Sequence, residues 1–229
     1  MLCSLKQMRK DWSTLQLCKK MVTWLWVFTI ITIISLSAGY NYSCFGDFTL
    51  LHPTGKSNGG VQSSQLDVSK TYNLAHSYKA CFEQIGQFTC IHPAIIAAVA
   101  SRETNVGADI TVSRGWNAGH FEYGMLPCDT RSCLVCHKNV GLTCTSYPWN
   151  TCDHALMMAQ YVLLPFVKSI QTKFPSWLSE QHIQGGLAAY NAGIDHVDSW
   201  SNVDQHTTHH DYSNDVIARA QYLVSHYSW

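Results

Sequence analysis

Apolar and polar positions recur along most of this chain with the period of a helix, and along one stretch the charged positions vanish. From Leu66 to about residue 85, Leu74, Tyr78, Cys81, Phe82 and Ile85 recur near helical spacing and predict a helix. A second helix is expected from Pro93, a proline at a first-turn position, to residue 105, just before Gly107 as a stop. On it Ile95, Val99 and Glu103 fall on one stripe, flanked by Ile96 and Ala100. Three further helices are predicted over residues 155–173, 178–190 and 212–226, the first of them kinked or interrupted at Pro165. Residues 52–64 are rich in Gly, Ser and Asn and read as a loop. Residues 115–124 alternate small and aromatic side chains and suggest a hairpin. The pattern predicts an α+β fold, mainly α, with a small β element.

The stretch without charge runs from residue 21 to 39 and follows Lys19 and Lys20. A basic start, an apolar core and the small residues Ser37, Ala38 and Gly39 succeed one another as in a secretory signal. An uncleaved type II single-pass membrane anchor is the rival reading, since about 18 apolar residues nearly suffice to span a bilayer. Either version sends the body out of the cytoplasm, because the lysines lie on the N-terminal side. The chain therefore divides into a leader, residues 1–39, and one domain, residues 40–229, with no repeat or long linker inside it.

Charge sharpens that division. Fifteen basic residues balance fifteen acidic ones, which excludes a nucleic-acid-binding role by electrostatics. The leader holds five basic residues and one acid, so the body has 15 − 5 = 10 basic and 15 − 1 = 14 acidic residues, a net charge of −4 with neutral histidines. Apolar residues make up 46% of the chain, ample for a packed core. Of the ten cysteines, Cys44, Cys81, Cys90, Cys128, Cys133, Cys136, Cys144 and Cys152 lie in the body, and an even count in an exported domain reads as disulfides. Asn41-Tyr42-Ser43 is a glycosylation sequon just after the leader.

The stripe that ends in Glu103 carries the sharpest chemical signal. A carboxyl at the end of an apolar stripe faces a low-dielectric wall, burial raises its pKa, and a raised pKa suits a general acid near neutral pH. A stripe only two turns long is weak, and the pattern alone favours Glu103, in the last turn, pointing into solvent.

Five stretches in order decide between these readings. Residues 95–104, Ile-Ile-Ala-Ala-Val-Ala-Ser-Arg-Glu-Thr, followed by Gly107, resemble the catalytic-helix segment of goose-type lysozymes. Gly115-Trp116 before Tyr123-Gly124-Met125, Lys-Phe-Pro-Ser-Trp at 173–177, Gly-Gly-Leu-Ala-Ala-Tyr-Asn-Ala-Gly at 185–193 and Asp-Tyr-Ser-Asn-Asp-Val-Ile-Ala-Arg-Ala-Gln at 211–221 continue the likeness. Cys44-Phe-Gly resembles the family's opening Cys-Tyr-Gly. The resemblance covers about residues 44–224. It implies a lysozyme-like fold and cleavage, without a cofactor, of the β-1,4 bond between N-acetylmuramic acid and N-acetylglucosamine in bacterial peptidoglycan. Glu103 is implied as the acid, and Asp129 as a holder of the water that inverts the anomeric centre. Tyr190, Asn191 and Tyr212 are implied in the cleft, with Val162 and Phe166 at its apolar positions. Cys44–Cys90 is the one disulfide the resemblance suggests.

Two positions depart from the family pattern. Ala118 stands where the family has its earlier aspartate, with Asn117 and Glu122 as nearby substitutes, and Pro127 stands where a sugar-contacting glutamine is usual. A cysteine-rich insert of about ten residues follows Asp129 and is expected to rim the cleft. Cys133-Leu-Val-Cys136-His137 resembles a haem-attachment signature, and its cysteines with His120 or His137 could form a zinc site. Oxidised pairs are the expectation in an exported protein, with no metal bound. The six remaining body cysteines allow 15 connectivities. The histidines between residues 206 and 210 read as a solvated loop. A monomeric secreted muramidase is thus the leading reading. A lytic transglycosylase of the same fold and a peptidoglycan-binding protein with weakened catalysis stand beside it.

Overall fold

The computed structural model describes residues 42–138 and 140–229. The leader, Asn41 of the sequon and with them the choice between cleaved signal and anchor lie outside the described residues. Among the described residues no helix is long and apolar enough to cross a membrane. The main helices are α1 (Gly60–Ser77), α2 (Lys79–Thr89), α3 (Pro93–Thr104), α4 (Cys152–Met158), α5 (Leu164–Lys173), α6 (Ser179–Ala192) and α7 (Tyr212–Tyr227). The strands β1 (Glu122–Tyr123) and β2 (Cys128–Asp129) form an antiparallel pair, and short 3-10 turns fill the connections. The fold is α+β and mainly α.

The first two helices and the last one pack around α3. The His92 side chain accepts the Ala94 N–H at its start, Pro93 supplies a preset first turn, and Asn105 ends it in the left-handed region at φ 50°. From Pro93 to Ser101 every residue is buried. Its four alanines let α1, α2 and α7 approach closely, while Ile95, Ile96 and Val99 fill the gaps at about 1.5–3 kcal/mol each. On the other side of the molecule α5 and α6 run against each other. Gly186 permits this, since a Cβ there would lie 2.8 Å from the Cα of Val167.

The helix predicted from residue 66 to 85 is two helices, and it begins earlier. Tyr78, at φ −100° and ψ 6°, breaks it between α1 and α2. Leu66 and Leu74 are exposed, and α1 faces the core through Ser64, Val68 and Ala75 instead. Residues 60–64 of the expected loop form the first turn of α1, where the Ser64 hydroxyl accepts the Lys56 N–H at 3.0 Å. Before Pro165 the chain widens into a π turn over Ala159–Leu163 and then resumes as α5. A wider turn accommodates the hydrogen bond that proline cannot donate.

The predicted hairpin exists as an antiparallel bridge between Trp116 and Tyr123, and β1 continues it by pairing with β2 in the register Glu122 opposite Asp129 and Tyr123 opposite Cys128. Gly124 turns the corner at φ 106°, and a Cβ there would fall 1.9 Å from the buried ring of His154. Cys44 is bonded to Cys90, Cys81 to Cys152, Cys128 to Cys144 and Cys133 to Cys136, and among the described residues no cysteine is free. The sulfurs of Cys128, Cys133 and Cys144 crowd within 4.8 Å of one another, but as members of two disulfides they are not the thiolates that zinc requires.

Candidate active site

A cleft of about 560 Å³ opens between the C-terminal end of α3, the β1–β2 pair with the insert, and the α4–α6 side of the molecule. One wall is helical. Glu103, in the last turn of α3, lines it with Val162, Phe166, Tyr190 and Asn191. Tyr212, the first residue of α7, reaches the site from behind and donates its hydroxyl proton to Glu103 Oε1 at 2.5 Å. The preceding Asp211 accepts from Arg102 at 3.0 Å, so adjacent residues on α3 and α7 are clasped twice. Asp215 extends the clasp inward, pairing with Arg102 and with Arg219.

Protein atoms surround the Glu103 carboxyl as densely as in an interior, although part of the residue opens to the cleft. That burial raises its pKa from 4.5 to about 7. The Tyr212 hydrogen bond opposes the rise, the nearby charge of Glu122 adds to it, and Arg102 opposes it again. Tyr190 is also enclosed, which pushes its hydroxyl well above the ordinary range, and it donates to the Pro127 carbonyl at 3.3 Å. Asn191 accepts the Thr208 N–H at 2.8 Å through Oδ1, leaving its amide N–H₂ for the cleft.

The opposite wall is made of strands and loop. Glu122, Pro127, Cys128, Asp129, Ser132 and Leu134 line it, so the cysteine-rich insert does rim the cleft. Both oxygens of Asp129 are held by the Arg131 guanidinium at 2.6–3.2 Å, and Oδ1 also accepts the Arg131 backbone N–H at 2.8 Å. The Arg131 side chain beside it holds the Asp129 carboxyl below its ordinary pKa, more than its slight burial raises it. Arg131 in turn lies over the Phe121 ring, 3.8 Å from its centroid.

The lysozyme g family model matches residues 49–226. The chain belongs to the lysozyme g family. It is 37% identical over 193 residues to a lysozyme g of Struthio camelus, covering 80% of this chain and 88% of that one. It is 37% identical over 174 residues to a lysozyme g of Gallus gallus, covering 76% of each. A glycine, glutamate and proline-rich protein of Lottia gigantea is 38% identical over 208 residues, 86% of this chain, which spans only 48% of that protein. Membership in lysozyme g places the chain among glycoside hydrolases with a lysozyme-like fold.

Within the lysozyme g frame, the residues singled out from the sequence fall unevenly. Glu103, Asp129, Val162, Phe166, Tyr190 and Asn191 line one cleft, and Tyr212 meets Glu103. Ala118 is exposed and does not line the cleft, whereas Glu122, four residues on, does. His137 bonds the Ser132 carbonyl at 3.0 Å outside the cleft, and His206 faces Asp198 on the surface at 3.3 Å. Three features escaped the sequence reading: the Arg131 grip on Asp129, the Arg102–Asp211–Asp215 clasp, and the end of the cleft formed by Ile194, Asp195 and His196. The Asp-x-Arg spacing at 129–131 is the one local signal that could have found the first.

Proposed function

We propose that this chain is a secreted muramidase, hydrolysing the β-1,4 bond between N-acetylmuramic acid and N-acetylglucosamine in bacterial cell walls. The single observation that carries the reading is Glu103, a carboxyl still protonated in part near neutral pH, on the helical wall of a cleft of about 560 Å³. Glu103 protonates the departing glycosidic oxygen. Asp129, kept ionised by Arg131, orients a water on the opposite face of the sugar, and the anomeric centre inverts. Val162, Phe166 and Tyr190 take the apolar faces of the pyranose rings, and the Asn191 amide donates to an N-acetyl carbonyl. The domain of residues 40–229 acts as a monomer without cofactor, exported by the leader. Four disulfides suit that compartment.

Digestion of purified bacterial walls, with the products identified by mass, tests this. Free reducing ends of muramic acid are expected. Mainly 1,6-anhydro ends would make the protein a lytic transglycosylase, in which no water attacks, and binding without cleavage would make it a recognition protein.

A further inference from the structure

Opposite the acid, the strand wall of the cleft contains two carboxylates, and they are not equivalent. Glu122 and Asp129 are directly opposite in the β1–β2 ladder, so their side chains leave the same face, and both line the cleft opposite Glu103. Asp129 has both oxygens bound by Arg131. Glu122 is fixed at one end only. Its Oε2 accepts from the Asn117 amide at 2.9 Å, and Asn117 Oδ1 in turn accepts the backbone N–H groups of Phe121 and Glu122 at 3.0 and 3.2 Å. Oε1 of Glu122 takes no hydrogen bond from the described residues. A hairpin that spends three hydrogen bonds to orient one cleft-lining glutamate, and leaves one of its oxygens without a partner among the described residues, has the form of a preorganised proton acceptor.

We propose that Glu122 is the general base of the reaction, accepting the proton of the water that Asp129 orients. The inference rests on the muramidase reading of the cleft and adds to it a residue outside the aspartate pattern that the sequence resemblance carried. The step balances as follows. The water oxygen bonds to the anomeric carbon while one water proton passes to Glu122 Oε1. The bond from that carbon to the glycosidic oxygen breaks, and the leaving oxygen takes the proton of Glu103. Glu122 then holds a proton and Glu103 has lost one, and exchange with solvent restores both. Two carboxylates set directly across a ladder repel each other, and Arg131, held on Asp129 and near enough to Glu122 to feel its charge, compensates.

A base can be told from a sugar contact by a nucleophile that has no proton to lose. Glu122→Gln is expected to lower wall hydrolysis at least ~100-fold, the scale of one acid–base contribution, while binding of an N-acetylglucosamine tetramer stays within about 2-fold. Sodium azide added to Glu122→Ala should restore turnover and yield the α-glycosyl azide, whereas azide should leave Glu103→Gln inactive. Glu122→Gln within about 3-fold of wild type would overturn the proposal. So would an inactive Glu122→Ala that azide fails to rescue, or azide rescue of Asp129→Ala alone. Wild-type protein that releases no fragments would bring down the muramidase reading itself and this assignment with it. An active wild type with an active Glu122→Gln would bring down the assignment only.

Discussion

The two walls of the cleft hold their carboxylates by opposite means. On the helical wall Glu103 sits at the end of a buried helix, with Tyr212 on its oxygen and a nearly buried Arg102–Asp215–Arg219 network beneath. On the strand wall Asp129 sits half-buried at the end of β2, its position set by a short ladder, the Cys128–Cys144 disulfide and an arginine two residues away. The first environment withdraws water and drives a carboxyl up to about pH 7. The second supplies a neighbouring cation and drives a carboxyl down. One chain thereby makes an acid and an anion from the same functional group, separated by environment alone.

The largest expected effect breaks the helical side. Glu103→Gln should cut wall hydrolysis at least ~100-fold with the fold intact, measured as turbidity loss alongside circular dichroism. The same substitution should stabilise the protein. A folded-state pKa raised above the ordinary 4.5 means that the native state holds its proton longer than the unfolded chain as pH rises. Stability therefore falls between about pH 4.5 and 7, and at pH 8 Glu103→Gln should be more stable than wild type by about 1–3 kcal/mol in denaturant titration. Asp215→Ala comes next. It leaves two arginines facing each other without their shared, fully covered partner, and unfolding free energy should drop by about 3–5 kcal/mol.

Smaller effects probe the strand side. Asp129→Asn should slow hydrolysis at least ~10-fold, because a neutral amide orients water less well than an anion. Arg131→Ala should act through the same oxygens, lowering kcat a few-fold with no measurable change in melting temperature, since the arginine is exposed. Ala118→Asp should change the rate least, within about 2-fold, because Ala118 is exposed and does not line the cleft. A large gain there would mean that the strand wall moves to meet substrate.

Legibility from sequence divides along the same line. The helical wall is written in local code. Pro93 and Gly107 bracket α3, the apolar stripe leads to Glu103, and the motifs at 185–193 and 211–221 bring Tyr190, Asn191 and Tyr212 with it. Where the pattern misled, as at Leu66 and Leu74, the helical period was right but its buried face was not, because burial depends on which neighbours arrive. The strand wall is written in pairings between distant residues. Nothing local joins Cys128 to Cys144 or sets the register that puts Glu122 across from Asp129; on the helical side, likewise, Pro165 gives no hint that a π turn will absorb it. The resemblance pointed at Ala118 as a loss, while the ladder register places a different carboxylate in the cleft.

The central claim is that burial makes Glu103 the acid, and the dependence of kcat/KM on pH tests it most directly. With a soluble peptidoglycan oligosaccharide as substrate, kcat/KM should fall as pH rises through about 7, tracking loss of the Glu103 proton, and Tyr212→Phe should shift that limb upward, because its hydroxyl favours the ionised form. A rate that falls instead around the ordinary carboxyl value of 4.5, or a limb unmoved by Tyr212→Phe, would contradict it.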